Sequence, residues 1–75
     1  MADDFSYKIE KNFGTISTGR GGWTTELNLV SWNGRQAKYD IRSWDENHEK
    51  MGKGLTLTSE EIKALKSLLN SMDLE

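Results

Sequence analysis

"LTLTSEEIKALKSLLNSM", residues 55–72, changes its hydrophobic period partway along. Leu55 and Leu57 alternate with threonines, the period of a half-buried strand. Ile62, Leu65, Leu68, Leu69 and Met72 instead recur at helical spacing and share one stripe. The junction carries its own start signal, because Thr58 as N-cap and Glu61 three residues later form a capping box. A short fourth strand over 55–58 therefore runs into an amphipathic helix, whose apolar stripe must be buried on a sheet.

The sheet is read by working backwards. "YDIRSW" (39–44) alternates strictly, with Tyr39 and Ile41 on one face and Asp40, Arg42 and Trp44 on the other, in line with Lys38. The first face is expected in the core and the second toward water. "NGRQ" (33–36) begins with Asn-Gly, the strongest short-range hairpin signal, and joins this strand to "WTTELNLVSW" (23–32). There Leu27 and Leu29 share one face, and Glu26, Asn28, Val30 and Trp32 the other. The glycines of "TGRGG" (18–22) read as a hairpin loop, and "FSYKI" (5–9) as a half-buried strand. A change of parity between Phe13 and Ile16, next to Gly14, suggests a bulge or bend. "DENHEKMGKG" (45–54) reads as a polar loop. The expected fold is α+β: four antiparallel strands followed by one C-terminal helix, ββββα. That helix covers one face of the sheet, and the other is open or partly covered by a second copy.

Seventy-five residues form one small domain, 1–75, and a chain of this length buries only about 60% of its unfolded surface. With no cysteine and a single histidine, His48, neither a disulfide framework nor a zinc site is available to reinforce it, so a homodimer is expected. "MADDFSYKIE" is acidic and lacks a signal-peptide core, and no apolar run approaches the roughly 20 residues that span a membrane. A cytoplasmic protein is the default. The net charge of −2 is no electrostatic footprint for nucleic acid. Its distribution is uneven, however. Between Gly19 and Gly54 six basic residues (Arg20, Arg35, Lys38, Arg42, Lys50, Lys53) face five acidic ones, and Asp3, Asp4, Glu60, Glu61, Asp73 and Glu75 lie outside.

No catalytic constellation is present. There is no thiol nucleophile, His48 has no sequence-level partner, and "MGKGLT" lacks the glycine spacing of a phosphate-binding P-loop. Neither an enzyme, a cofactor nor a small-molecule substrate is expected. Binding fits better. Lys38, Arg42 and Trp44 on one strand face, Trp32 on its neighbour, and Lys50 and Lys53 beyond combine cations with flat aromatic surfaces. Cations track phosphates while every unpaired base offers a π-face to an aromatic ring, a combination suited to single-stranded nucleic acid. The "GKG" backbone could add amide donors as a glycine nest. Plainer readings compete: Trp23 matches the parity of Leu27 and Leu29 and suits packing, Arg42 beside Asp40 suits a surface ion pair, and Lys50 and Lys53 suit solvation.

"YDIRSW" followed by "EKMGKGLTLTSEEIKALKSLL" resembles the core of the transcriptional positive cofactor four family, in its short bacterial YdbC-like branch. The resemblance runs from about Trp23 to Leu69. It implies the ββββα fold, a homodimer, and a sheet surface that binds single-stranded DNA with little sequence preference. By position, Trp32 and Trp44 match the family's stacking aromatics, Arg42 a basic strand residue, and Lys50 and Lys53 the basic loop before the last strand. Lys38 fits by parity, and Arg20, Arg35 and Trp23 come from the loops. The turn between Trp32 and Asp40 is one residue longer than in eukaryotic members, and "WTTELNL" has no basic residue, so a lower affinity is expected; a eukaryote-type coactivator role does not carry over. Two rivals stay open: a dimeric protein-interaction module in transcription, and an RNA-binding protein.

Overall fold

A computed structural model describes residues 5–74 of the chain; Asp3, Asp4 and Glu75, counted above among the peripheral acids, lie outside them. The elements are β1 (Tyr7–Thr18), a 3₁₀ turn (Arg20–Gly22), β2 (Thr24–Trp32), β3 (Lys38–Trp44), β4 (Met51–Leu57) and α1 (Ser59–Asn70). The strands form one antiparallel sheet in the order β1-β2-β3-β4. The expected four strands and helix are all present.

Each connection has a local cause. Asn33 (φ 52°) and Gly34 (φ 74°) both adopt left-handed backbone, and the Arg35 amide donates to the Trp32 carbonyl at 3.0 Å, closing the tight hairpin that Asn-Gly favours. β1 is one twelve-residue strand whose register against β2 slips three times, between Ile9 and Lys11, Asn12 and Gly14, and Thr15 and Ser17. The parity change between Phe13 and Ile16 falls among these bulges. Thr58 and Glu61 make both bonds of the capping box: the Glu61 amide donates to Thr58 Oγ1 (3.1 Å), and the Thr58 amide to Glu61 Oε1 (2.9 Å).

β4 corrects the sequence reading, since it begins at Met51 and takes in the glycines assigned to a loop. Gly54 sits opposite Arg42, where an added Cβ would collide with Arg42 Cβ and lie 2.6 Å from the Ile41 carbonyl oxygen. Glycine is there because the Arg42 side chain crosses the strand. Neither Gly52 nor Gly54 has a positive φ, so the expected glycine nest does not form.

The two faces of the sheet are the larger correction. The face expected to be the core carries Leu27, Leu29, Tyr39 and Ile41, and all four are only half-buried. Helix α1 packs over β3 and β4 with Ile62 and Leu65 half-buried, and a groove of about 350 Å³ remains between the helix and Ile16, Leu27 and Ile41. The face expected toward water holds every fully buried side chain among the described residues: Val30, Trp44, Asn28 and Asp40. The sheet coils on that side. Thr24 and Trp32 are eight residues apart on β2, about 26 Å along a straight strand. Yet Arg42, in register with Glu26, lies over the Trp32 ring, and Tyr7, in register with Trp32, touches Trp44.

Candidate nucleic-acid interface

The coiled face is built around paired charges. Asp40, fully buried, accepts from Arg42 Nε (2.7 Å), Arg42 Nη2 (2.9 Å) and Thr56 Oγ1 (2.9 Å). A fork of this kind fixes the guanidinium plane. The remaining Arg42 nitrogen, Nη1, donates to the Gly52 carbonyl (3.3 Å), and the guanidinium lies 4.8 Å from the Trp32 ring centroid. Two readings of Arg42 were open, a cation for phosphate and an ion pair with Asp40, and the pair forms, though buried rather than at the surface. With its side chain only 15% exposed and its donors engaged, Arg42 is the support on which Trp32 rests.

Trp44 is corrected as well. The strand alternation and the resemblance both point it outward, but it is fully buried, with Tyr7 at 5.4 Å and the His48 ring stacked on it at 5.7 Å. The reason is the turn after β3. Asp45 accepts from the Glu49 and Lys50 amides (2.8 and 2.9 Å), which folds residues 45–50 back over the sheet. The Lys50 and Glu49 amides, with the charges of Lys50 and His48, also hold the Asp45 carboxyl below the usual range. His48, in left-handed backbone at φ 57°, then reaches Glu26 with Nε2 (2.9 Å), and its carbonyl accepts from the Tyr7 hydroxyl at 2.6 Å. A histidine with no sequence-level partner thus has three contacts. No strand period could reveal them, although an aspartate opening a polar loop is the usual sign of such a turn.

Glu26 and Asn28 continue the network. Asn12 Nδ2 donates to both (3.2 and 2.7 Å), and Thr24 Oγ1 donates to Glu26 at 2.6 Å. Burial works against ionisation of Glu26, but hydrogen bonds from Thr24, His48 and Asn28, with the charge of His48, outweigh it and keep the carboxyl below its ordinary value.

The accessible part of this face is aromatic. Trp32 is half-buried, with Tyr7 at 6.0 Å and Phe5 at 6.1 Å between ring centroids; Phe5 and Tyr7 are 6.2 Å apart. Three tilted rings at these separations form mutually favourable pairs. Beneath them lie Arg42 and Trp44. The indole N–H groups of Trp32 and Trp44 are buried without an acceptor, a desolvation cost that the ring contacts offset.

The expected cations are spread around this cluster. Arg35 and Lys38 are exposed at the Trp32 end of the β2–β3 hairpin. Arg20 and Lys50 are exposed at the opposite end, where Trp23 is half-buried after the glycine turn, near Gly21. Lys53 is exposed on β4. Sequence reasoning missed Phe5 and Tyr7 as partners of Trp32, because pairing across an antiparallel register cannot be read from one strand alone.

Residues 20–68, more than half of the chain, match the family model described as Transcriptional Coactivator p15 (PC4). An uncharacterized protein of Treponema pallidum (strain Nichols) is 58% identical over 73 residues, covering 97% of this chain and 86% of the relative.

Proposed function

From the premise that the chain belongs to the Transcriptional Coactivator p15 (PC4) family, a non-enzymatic family known for binding single-stranded DNA, we propose that it binds single-stranded DNA with little sequence preference, as a homodimer in the cytoplasm. The observation that carries this reading is the partly exposed Trp32, with the Arg42 guanidinium 4.8 Å from its ring centroid and Phe5 and Tyr7 beside it. A partly exposed ring held against a cation is a stacking surface for an unpaired base. Arg35, Lys38 and Lys53 supply the exposed positive charge for the phosphates, with Arg20 and Lys50 at the far end. Arg42 acts through Trp32, and Trp44 forms the floor beneath the cluster.

Both terms are measurable by titrating oligo-dT into the protein at several salt concentrations. Stacking on Trp32 quenches tryptophan fluorescence, and each neutralised phosphate contributes about 0.7 to the slope of log affinity against log salt. Lys53→Ala is expected to weaken binding and lower the slope by about 0.7. Trp32→Ala should lose roughly 1–3 kcal/mol of affinity with the slope nearly unchanged. Absence of binding to oligo-dT, or a flat salt response, would overturn the proposal. A parallel titration with oligo-U decides between DNA and RNA.

A further inference from the structure

Phe5 is 61% exposed, although it lies against two other aromatic rings. It precedes the first residue of β1 and falls outside the family-matched segment 20–68. Its backbone is nevertheless fixed. The Ser6 amide donates to Asn33 Oδ1 at 2.8 Å and the Asn33 amide donates to the Ser6 carbonyl at 2.8 Å, a reciprocal pair between the start of β1 and the β2–β3 turn. Asn33 thus serves twice, as the left-handed turn residue and as the clamp for the residue after Phe5. The clamp sets the Phe5 ring at 30° to Trp32 and 42° to Tyr7, so one side of the ring meets the cluster and much of the remainder faces solvent.

An apolar ring in that position is held where packing does not bury it. Hydrophobic cover for Trp32 alone would need no π-face, and an aliphatic side chain would supply it. The same turn carries exposed Arg35, with exposed Lys38 beginning the next strand, so positive charge lies alongside the ring. We propose that Phe5 is a base-contacting residue of the single-strand site, the outermost ring of a Phe5–Trp32 platform, and that its ligand is the face of an unpaired nucleobase next to the one on Trp32. The proposal rests on the single-stranded DNA reading above. It makes the N-terminal strand, beyond the matched segment, part of the binding surface.

The test is oligo-dT affinity of Phe5→Ala, Phe5→Leu and Phe5→Tyr beside the wild type, across a salt series. Phe5→Ala is expected to bind about 5- to 150-fold more weakly, the alanine-substitution scale for one base stack, with an unchanged salt slope because no phosphate contact is lost. Phe5→Leu keeps the apolar contact with Trp32 but has no ring, and should bind nearly as weakly as Phe5→Ala. Phe5→Tyr keeps the ring and should bind like wild type. Phe5→Leu also keeps the test valid if Phe5→Ala fails to fold. If the wild type binds oligo-dT and Phe5→Leu binds equally well, the ring is packing only and the Phe5 proposal fails while the function stands. If the wild type does not bind oligo-dT, both fall.

Discussion

Gly54 and Trp44 show how single residues hold this fold. At Gly54 a methyl group would meet Arg42 and the Ile41 carbonyl, both part of the packed sheet, so Gly54→Ala should destabilise the protein by about 1–3 kcal/mol in urea unfolding, as overpacking does. Trp44, fully buried against Tyr7 and His48, should cost about 3–5 kcal/mol on replacement by alanine. Any loss of DNA binding in that variant should therefore track its loss of fold. Trp44→Ala with wild-type stability would contradict the burial. Glu26 adds a pH term. Its folded carboxyl titrates below the ordinary value of 4.5, so the unfolded chain takes up its proton first as pH falls. The stabilisation is complete above that unfolded value and is lost as pH drops through the folded one. Glu26→Gln removes this term, and its unfolding free energy should fall less steeply than wild type as pH drops below about the unfolded value of 4.5. Parallel curves would exclude Glu26 as a source of acid sensitivity. None of this is legible from alternation, which assigns Glu26, Asp40, Arg42 and Trp44 to one side without saying whether that side is wet. Three of them are charged, and in isolation each charge argues for solvent. Only the partners make burial affordable: Arg42 for Asp40 stands two residues along the same strand, but His48 reaches Glu26 from 22 residues away.

Elements were the legible scale. Asn33-Gly34, the Thr58–Glu61 capping box, the helical stripe and the bulge near Gly14 are short-range signals with local causes, and the structure has each of them. Thr58→Ala breaks one bond of the box and should cost about 0.5–2 kcal/mol, read as a lower urea midpoint at unchanged slope. A shift below that range would mean that α1 is held by packing rather than by its cap. The strand β4 was the element misjudged. Glycines at 52 and 54 read as punctuation because their usual use is a turn, whereas here Gly54 accommodates a side chain from the neighbouring strand. A close approach between strands leaves no mark that one sequence can distinguish from a loop. The candidate site divides the same way: Trp32 and the exposed lysines are recognisable as types, while Phe5 and Tyr7 join Trp32 only through a register that spans 25 residues of chain between Tyr7 and Trp32.

At the scale of the whole molecule, the apolar face is unfinished. Ile16 is 60% exposed and Leu55 57%, Leu68 and Leu69 on α1 and Met72 just past its end are also exposed, and Ile16 and Leu69 line a groove that the helix leaves unfilled. Small soluble proteins rarely leave that much contiguous apolar surface in water. A second copy seated there, on the helix-bearing face and not on the opposite one that the sequence pattern left open for it, would bury it, which is the physical content of the proposed dimer. Leu55→Glu separates the alternatives. In a monomer the side chain points into solvent, so a charge at 55 should change stability by no more than about 0.5 kcal/mol. In a dimer the same carboxylate would be buried without a partner, at a cost of several kcal/mol. The wild type should therefore sediment at about twice the chain mass of 8.6 kDa, with a melting temperature that rises with protein concentration. Leu55→Glu should sediment at the chain mass and melt lower, at a temperature independent of concentration. A wild type that stays monomeric at micromolar concentration, or a Leu55→Glu variant as dimeric and as stable as wild type, would remove the second copy from this face.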